Sequence, residues 1–260
     1  MSAPVLTLAL RLRSRSIVLA AAGLVAVLLL VGALFPSVGD TIGKLQLPKG
    51  VADLLGGADY KTLTGWYRSE IASFYGPLVV CAVSITAAAG GTAGEEEDRI
   101  AALVLAHPVR RSRWVLAKGG MVASAVVLVC LACWIGLIGG VALGGGGIGV
   151  GDLAAYSIQL ACFGFAIGAV ALALGAATGR RALAAGVSAG IAVAGWLVNS
   201  FAPLVGALDW LKYLSPFYYY AGNDPLAEGV DLGHLLVLAV VSAVLTAVAV
   251  VTIDRRDLRA

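Results

Sequence analysis

Charged residues are scarce in this chain of 260 residues, because only 13% are Asp, Glu, Lys or Arg while 60% are hydrophobic. A typical soluble domain is about half apolar and about a quarter charged. The composition and the mean hydropathy of +0.95 exclude an ordinary soluble domain and indicate one polytopic membrane domain. The net charge is only +3, and the basic residues stand at the ends of apolar runs. This distribution excludes the basic stripe of a nucleic-acid-binding protein.

Metal ligands and nucleophiles are also few. The chain has two histidines and four cysteines, and all the cysteines lie in apolar runs: Cys81, Cys130, Cys133 and Cys162. Cys130 and Cys133 form a CxxC pair, yet a buried cysteine in apolar surroundings acts as a small hydrophobe. The neighbouring sequence holds no polar groups that could support a metal or redox site. We therefore expect no metal ion, no cofactor and no catalytic residue in this chain.

Two further absences concern the energy source. The sequence contains no GxxxxGK[ST] phosphate loop, so the chain does not bind ATP in that way. The apolar segments carry no ionisable residue in their interiors, since Asp152, Asp231 and His234 lie at their ends. Carriers driven by protons or sodium usually need such residues at membrane depth. An ion-coupled secondary transporter is therefore disfavoured, although backbone groups that coordinate ions keep it as an alternative.

Six apolar segments are long enough to cross a bilayer as helices, which takes about 20 residues. They lie near 17–35, 73–94, 119–143, 153–177, 183–205 and 233–253. The remaining chain forms predicted outer segments at 36–72 and 206–232 and one long cytoplasmic loop at 95–118. With the N-terminus inside, 13 of the 18 Lys and Arg residues are cytoplasmic. This bias predicts an all-α membrane protein of six transmembrane helices with both termini in the cytoplasm.

The densely charged stretch "GEEEDRIAALVLAHPVRRSRWVLAKGG" (Gly94–Gly120) stands out in the predicted cytoplasmic loop. Its apolar residues recur with helical spacing, and Pro108 would end the helix. Apolar residues flanked by charges of both signs suit the docking of a cytoplasmic protein. A simple topology anchor is the alternative interpretation. The predicted docking residues are Glu95, Glu96, Glu97, Asp98, Arg99, Ile100, Leu103, Val104, His107, Arg110, Arg111 and Arg113.

Small residues in the fourth span predict close helix packing. Gly164 and Gly168 are four residues apart, and Gly175 follows on the same span. Such spacing lets membrane helices approach each other closely. We interpret these glycines as sites of packing within the chain and not as a contact between two chains.

The segment "AGEEEDRIAALVLAHPVRRSRWVLAK" (Ala93–Lys118) resembles the cytoplasmic loop of ABC-2-type ABC transporter permeases. Leu47–Val80 resembles the outer loop and second span of bacterial members. Tyr213–Gly229 resembles their last outer segment, and "DRRDL" (Asp254–Leu258) resembles their terminal tag. The similarity covers most of the chain, in order, and identifies it as similar to the transmembrane subunit of a bacterial exporter.

This resemblance implies a type V exporter-like permease fold, with residues 1–260 as one transmembrane domain in the plasma membrane. It implies pairing with a second permease, identical or homologous. A separate ATPase, as a homodimer or a pair, would bind ATP and Mg and dock on a coupling helix from about Glu95 to Ala106. The segment Pro4–Ser16 would form a connecting helix on the membrane surface.

Neutral polar and aromatic side chains inside the spans favour an amphipathic or hydrophobic cargo over a small ion. We predict that Ser84, Thr86, Trp196 and Asn199 help to line the pathway, because the resemblance places the second and fifth spans near the axis of the permease pair. Buried side chains with satisfied hydrogen bonds, or lipid-facing aromatic groups, are the alternative interpretation. A non-transporting membrane scaffold or sensor is a further alternative function.

Overall fold

The computed structural model describes residues 3–42, 62–105, 110–202 and 206–256. The regular structure in these ranges is entirely helical. A 3-10 segment, Gly206–Leu214, precedes α7. The helices are α1 (Ala3–Ile42), α2 (Leu63–Glu97), α3 (Ile100–Leu105), α4 (Arg111–Leu143), α5 (Val150–Thr178), α6 (Arg181–Phe201), α7 (Pro216–Ala221) and α8 (Leu232–Arg255).

The predicted fold class, an all-helical protein with six membrane-spanning helices, is confirmed, and the cytoplasmic location of both termini stays a prediction. Within the described ranges, six helices are long and apolar enough to cross a membrane, namely α1, α2, α4, α5, α6 and α8. Their lengths exceed the roughly 20 residues that a bilayer core requires. The short helices α3 and α7 are six residues each and lie between spans. The chain is therefore a multi-pass membrane protein.

Helix α5 is the centre of the bundle and packs against α2, α4, α6 and α8, while α1 packs along α4. The glycines of α5 make this packing close. A methyl group at Gly164 would lie 2.3 Å from the Val80 side chain of α2, and one at Gly168 would lie 2.8 Å from the Val122 side chain of α4. The expectation that these glycines serve packing within the chain is confirmed.

Helix α2 differs from the other spans, because π-helical turns flank its α-helical centre. The first π-helical segment is Arg68–Tyr75 and the second is Gly90–Gly94. The helix begins at Leu63, and not near residue 73 as the apolar run indicated. Arg68 and Glu70 are therefore part of this helix, which corrects the expectation that it carries no ionisable residue. Hydropathy missed this turn because its polar residues interrupt the apolar pattern.

Two predicted boundaries at the other end of the bundle are wrong. Residues 4–16 continue directly into the first span, so α1 has no separate connecting helix. The acidic residues Glu95–Glu97 end α2 and do not begin the loop helix. The chain turns at Arg99, whose φ is 59°, and α3 starts at Ile100. We call the end of the bundle that carries Glu95–Glu97 the acidic end, and the end that carries Arg68 and α7 the aromatic end.

Candidate functional site

Glu95, in the last turn of α2, reaches across to α4. Its Oε1 lies 2.5 Å from Nζ of Lys118. Lys118 is only 3% exposed, and its ammonium group also lies 5.7 Å from the centre of the Trp114 ring. The carboxylate of Glu95 and the face of the Trp114 ring replace the hydration that the buried ammonium group loses.

Glu96 is nearly buried, with 4% of its surface exposed, and forms an ion pair with Arg256. Arg256 directly follows α8, and its carbonyl accepts a hydrogen bond of 2.8 Å from Arg111 of α4. Gly179 ends α5 with a φ of 58°, and a methyl group there would lie 2.7 Å from Glu96 Oε2. Both the left-handed conformation and the adjacent ion pair therefore require glycine at this position.

Glu97 holds the beginning of α6. Its Oε1 accepts a hydrogen bond of 2.9 Å from the backbone N–H of Arg181, the first residue of α6. A carboxylate there pairs with an otherwise free N–H group and interacts favourably with the helix dipole. The three glutamates thus tie α2 to α4, α6 and the end of α8. We call this network the acidic clamp: Glu95 with Lys118, Glu96 with Arg256, and Glu97 with Arg181.

The second π-helical segment brings α1 into the same region. Arg13 of α1 donates a hydrogen bond of 2.7 Å from Nη1 to the carbonyl of Thr86. A methyl group at Gly90 would overlap the Arg13 guanidinium, so glycine leaves the space that this side chain occupies. The acidic end therefore links five of the six spans through charged groups and backbone carbonyls.

Helix α3 projects beyond the acidic clamp and presents apolar side chains outward. Leu103 is 71% exposed and Ile100 is 42% exposed, whereas Ala101 is buried and Val104 packs against the core. Large exposed apolar groups next to charged residues at the end of a bundle are typical of a protein-interaction surface. The exposed side chains of Ile100 and Leu103 give this small helix an apolar surface at the acidic end.

At the aromatic end, α2, α6 and the segment around α7 enclose a cavity of about 270 Å³. Arg68, from the first π-helical segment, and Asp224, just after α7, form an ion pair in its wall. Trp196 and Asn199 of α6 line the same cavity. The indole N–H of Trp196 donates a hydrogen bond of 3.1 Å to the carbonyl of Ser73, which fixes the ring in place.

Two buried tyrosines form the floor of this cavity. The Tyr220 hydroxyl donates a hydrogen bond of 3.0 Å to the carbonyl of Ala72 and lies 3.1 Å from the Tyr156 hydroxyl. Ala72 lies in a π-helical turn, where the altered bonding pattern leaves carbonyl groups available to outside donors. The π-helical turn, α5 and α7 are thereby joined through hydrogen bonds beside the cavity.

Residues 3–253 match the family model described as "Multidrug efflux system permease Rv1217c, C-terminal domain". The chain belongs to this efflux permease family. The match spans nearly the whole sequence and agrees with the resemblance to ABC-2-type permeases. A comparison with curated proteins gives no match. The permease is therefore a membrane-embedded component of a transporter.

The permease divides the predicted docking residues into two groups. Glu95, Glu96, Val104 and Arg111 turn partly or fully inward. His107 lies outside the described residues. Its docking role, like that of the others, stays a prediction. The outward-facing members of the predicted set are Glu97, Asp98, Arg99, Ile100, Leu103, Arg110 and Arg113.

The permease brings two of the four predicted pathway residues together. Trp196 and Asn199 line the cavity at the aromatic end. Ser84 is completely buried between α2 and α5, and its hydroxyl donates to the Cys81 carbonyl at 3.2 Å. Thr86 faces a different, open groove between α1 and α2. The structure therefore separates Ser84 and Thr86 from the cavity that holds the other pair.

Sequence reasoning missed the charged residues of this cavity, Arg68 and Asp224. Both lie in segments that the sequence assigned to the outer loops, so no spacing rule connected them. A usable signal existed, because "FYYYAGND" (Phe217–Asp224) combines clustered aromatics with a turn and an acid. Such a segment is typical of a structured wall and not of a solvated loop.

Asp231 begins α8 at the aromatic end. Its Oδ1 accepts hydrogen bonds from the backbone N–H groups of His234 at 3.1 Å and Gly233 at 2.7 Å. The bond from His234 contributes most to lowering the pKa of the Asp231 carboxyl below its ordinary value. The Asn223 amide also donates to this carboxylate, at 2.5 Å. Asp231 thus fixes the turn that leads from the cavity wall into α8.

Proposed function

We propose that this permease is the membrane-spanning subunit of an ATP-driven exporter, and that a separate ATPase docks on α3. The ATPase would bind ATP and Mg, while this chain would provide the path for an amphipathic or hydrophobic compound across the plasma membrane. The main support is the outward apolar face of α3, formed by Ile100 and Leu103 beyond the acidic clamp. Membership of an efflux permease family supports transport as the purpose of the docking.

The acidic clamp supplies a physical route for coupling. Helix α3 is separated from the clamp only by Asp98 and Arg99. A partner that displaced α3 would pull on the end of α2, and the three glutamates would transmit that displacement to α4, α6 and the end of α8. Closely packed helices respond to such a shift as rigid bodies, which is the kind of motion that alternating access requires.

The exposed face of α6 supports a second permease copy, identical or homologous, in the complex. Only four of the 21 residues of α6 are buried within this chain, and all four are small: Ala184, Ser188, Ala192 and Gly195. Methyl groups at Gly186 and Gly190 would meet no atom within 4 Å, so another helix could approach closely there. Lipid or the second copy would cover the large side chains of this face, which include Leu183, Val187, Ile191 and Leu197.

Co-purification with a candidate ABC ATPase tests the docking. We expect Leu103→Asp to abolish the complex in detergent, because it places a charge in the apolar contact. Leu214→Asp is the matched control, since Leu214 is 73% exposed and lies at the aromatic end. Retention of the ATPase by Leu103→Asp, or equal loss with both variants, would contradict docking on α3.

Transport itself needs a second readout. We expect proteoliposomes with both subunits to move a fluorescent amphipathic dye only when ATP and Mg are present. An ATPase variant that binds but does not hydrolyse ATP is the control. A permease that binds the ATPase yet never moves or responds to any amphipath would support the scaffold alternative instead.

A further inference from the structure

An apolar groove adjoins the cavity at the aromatic end. The groove, of about 410 Å³, lies between α2 and α6, and its apolar walls include Phe74, Pro77, Leu78, Ile85 and Val193. It shares Ser73, Trp196 and Phe217 with the cavity. These shared side chains place the two spaces next to each other, with Trp196 between them, and we call the two spaces the arms of one depression. The groove is the apolar arm, bordered by the exposed side chains of Phe74 and Leu78, and the cavity is the polar arm.

The first π-helical segment creates the polar arm. The Ser73 hydroxyl donates a hydrogen bond of 2.9 Å to the carbonyl of Arg68, five residues earlier, as the wider π-helical turn allows. This turn directs Arg68, Ala72 and Ser73 toward one space. π-Helical turns inside a long helix frequently occur at functional sites. The local geometry of α2 is therefore consistent with a binding site at this end.

The polar arm has no net charge but several groups that can still form hydrogen bonds. Among the described lining residues, Arg68 and Asp224 are the charged ones, and they are paired with each other. The Arg68 Nε–H is buried and makes no hydrogen bond to any described residue. Asn199 and Ser200 also face this space. A ligand that accepts and donates hydrogen bonds would satisfy these groups without disturbing the ion pair.

We propose that this depression binds amphipaths whose headgroup has no net charge, with the tail in the groove and the headgroup beside Arg68 and Asp224. The proposal rests on the export of amphipathic compounds proposed above. When a ligand fills the cavity and excludes water, a singly charged headgroup would compete for one member of the ion pair and leave the other with neither a partner nor water, which is costly. Uncharged and zwitterionic headgroups avoid this cost, so net neutrality is the selected property.

Trp196 serves as the local reporter, because it lines both arms. The probes are four amphipaths with the same brominated dodecyl tail and different headgroups: maltoside, phosphocholine, trimethylammonium and carboxylate. Bromine quenches the fluorescence of nearby indole rings, and the part of the signal that disappears in Trp196→Phe belongs to this site. Nanodiscs of phosphatidylcholine keep the membrane surface uncharged. Because this zwitterionic lipid competes with all four probes alike, the probes are compared with one another at equal concentration in the membrane.

For the native chain we expect the maltoside and the phosphocholine probes to quench Trp196 at roughly tenfold lower membrane concentration than the two charged probes. A clear difference between the maltoside and the phosphocholine would show whether the uncharged or the zwitterionic headgroup fits better. Equal quenching by all four headgroups would overturn the proposal.

Two single substitutions should change the preferred headgroup from neutral to charged, and the sign of the preferred charge should differ between them. Arg68→Gln leaves the carboxylate of Asp224, so the trimethylammonium probe should bind most tightly. Asp224→Asn leaves the guanidinium, so the carboxylate probe should bind most tightly. Asparagine also tolerates the φ of 42° at position 224. An unchanged order of headgroups in both variants would mean that the ion pair serves structure alone.

The double variant Arg68→Gln/Asp224→Asn is the control for folding. It removes the pair but restores neutrality, so we expect the neutral headgroups to bind best again. If a single variant does not fold, the native chain and the double variant still decide the question. The assay needs no ATPase, so selective binding in a chain that neither docks an ATPase nor transports would contradict the proposed function and leave this site intact.

Discussion

The two ends of α2 use charged residues in opposite ways. At the acidic end, Glu95 and Glu96 pair with Lys118 and Arg256 in an interior that leaves Lys118 and Glu96 almost without solvent contact. At the aromatic end, Arg68 pairs with Asp224 in the wall of a cavity, and both side chains stay partly exposed. Buried pairs lose much when one partner is removed, whereas exposed pairs contribute little.

The two ends of α2 therefore make different kinds of contact. π-Helical turns at both ends of α2 let side chains and glycines adopt contacts that a regular α-helix would not provide. At the acidic end the contacts bind other helices of the same chain. At the aromatic end the side chains line a cavity. The proposed functions follow this difference, with transmission of a partner's motion at the acidic end and binding of a ligand at the aromatic end.

The largest expected effect is on stability, and it compares the two ends with the same chemical change. Glu95→Gln should lower the free energy of unfolding by about 3 kcal/mol, because it leaves the buried ammonium group of Lys118 without its carboxylate partner. Asp224→Asn should cost less than about 1 kcal/mol, because that pair is partly solvated. Thermal melting in nanodiscs measures both. Equal losses would show that the two ends do not differ in the way described.

A smaller effect is expected at the glycine that accommodates the acidic clamp. Gly179→Ala should destabilise the fold by about 1–3 kcal/mol, since it combines a left-handed backbone with a methyl group against Glu96 and Arg256. Gly23→Ala is the control, because Gly23 lies inside α1 with open space beside it, and the change should be neutral or slightly stabilising. If melting temperatures shift equally for both variants, the clamp does not constrain position 179.

The smallest effect concerns pH at the aromatic end. The pKa of the Asp231 carboxyl is lower in the folded chain than its unfolded value of about 3.9. Its contribution to stability is therefore present above the unfolded pKa and is lost as pH falls through the folded pKa. Asp231→Asn should keep the cap of α8 but remove this part of the acid sensitivity. The measurement is the melting temperature between neutral pH and pH of about 3. A steeper loss in the variant than in the native chain would contradict the role of the carboxylate.

Much of the fold follows from patterns that are local in sequence. Each apolar run identifies its own span, because the cost of exposing polar backbone to lipid forces a helix wherever the run is long enough. The glycines of α5 were assigned to packing within the chain for a similar reason. The ends of the helices could be predicted less well from the sequence. The polar turn Arg68–Tyr75 and the acidic turn Glu95–Glu97 belong to α2 because distant partners hold them there.

The candidate sites show the same limit. Trp196 and Asn199 could be proposed as pathway residues from their chemistry alone, yet their association with Arg68 and Asp224 could not. Likewise, the glutamates stood out in the sequence as a charged surface, but most of their carboxylates face inward. Hydropathy reports where a segment prefers to lie, and it carries no information about which helix lies beside it.

Sequence by itself determined the membrane class, the six spans and the concentration of charge in one inter-helical segment, because each depends on composition within a short window. Only the tertiary structure decided which glutamate meets which helix and which polar groups surround the cavity. Glu96 and Arg256 are 160 residues apart, and Tyr220 and Ala72 are 148 apart. Contacts at such separations arise from the packing of whole helices, where close fit and compensation of buried charge select one arrangement.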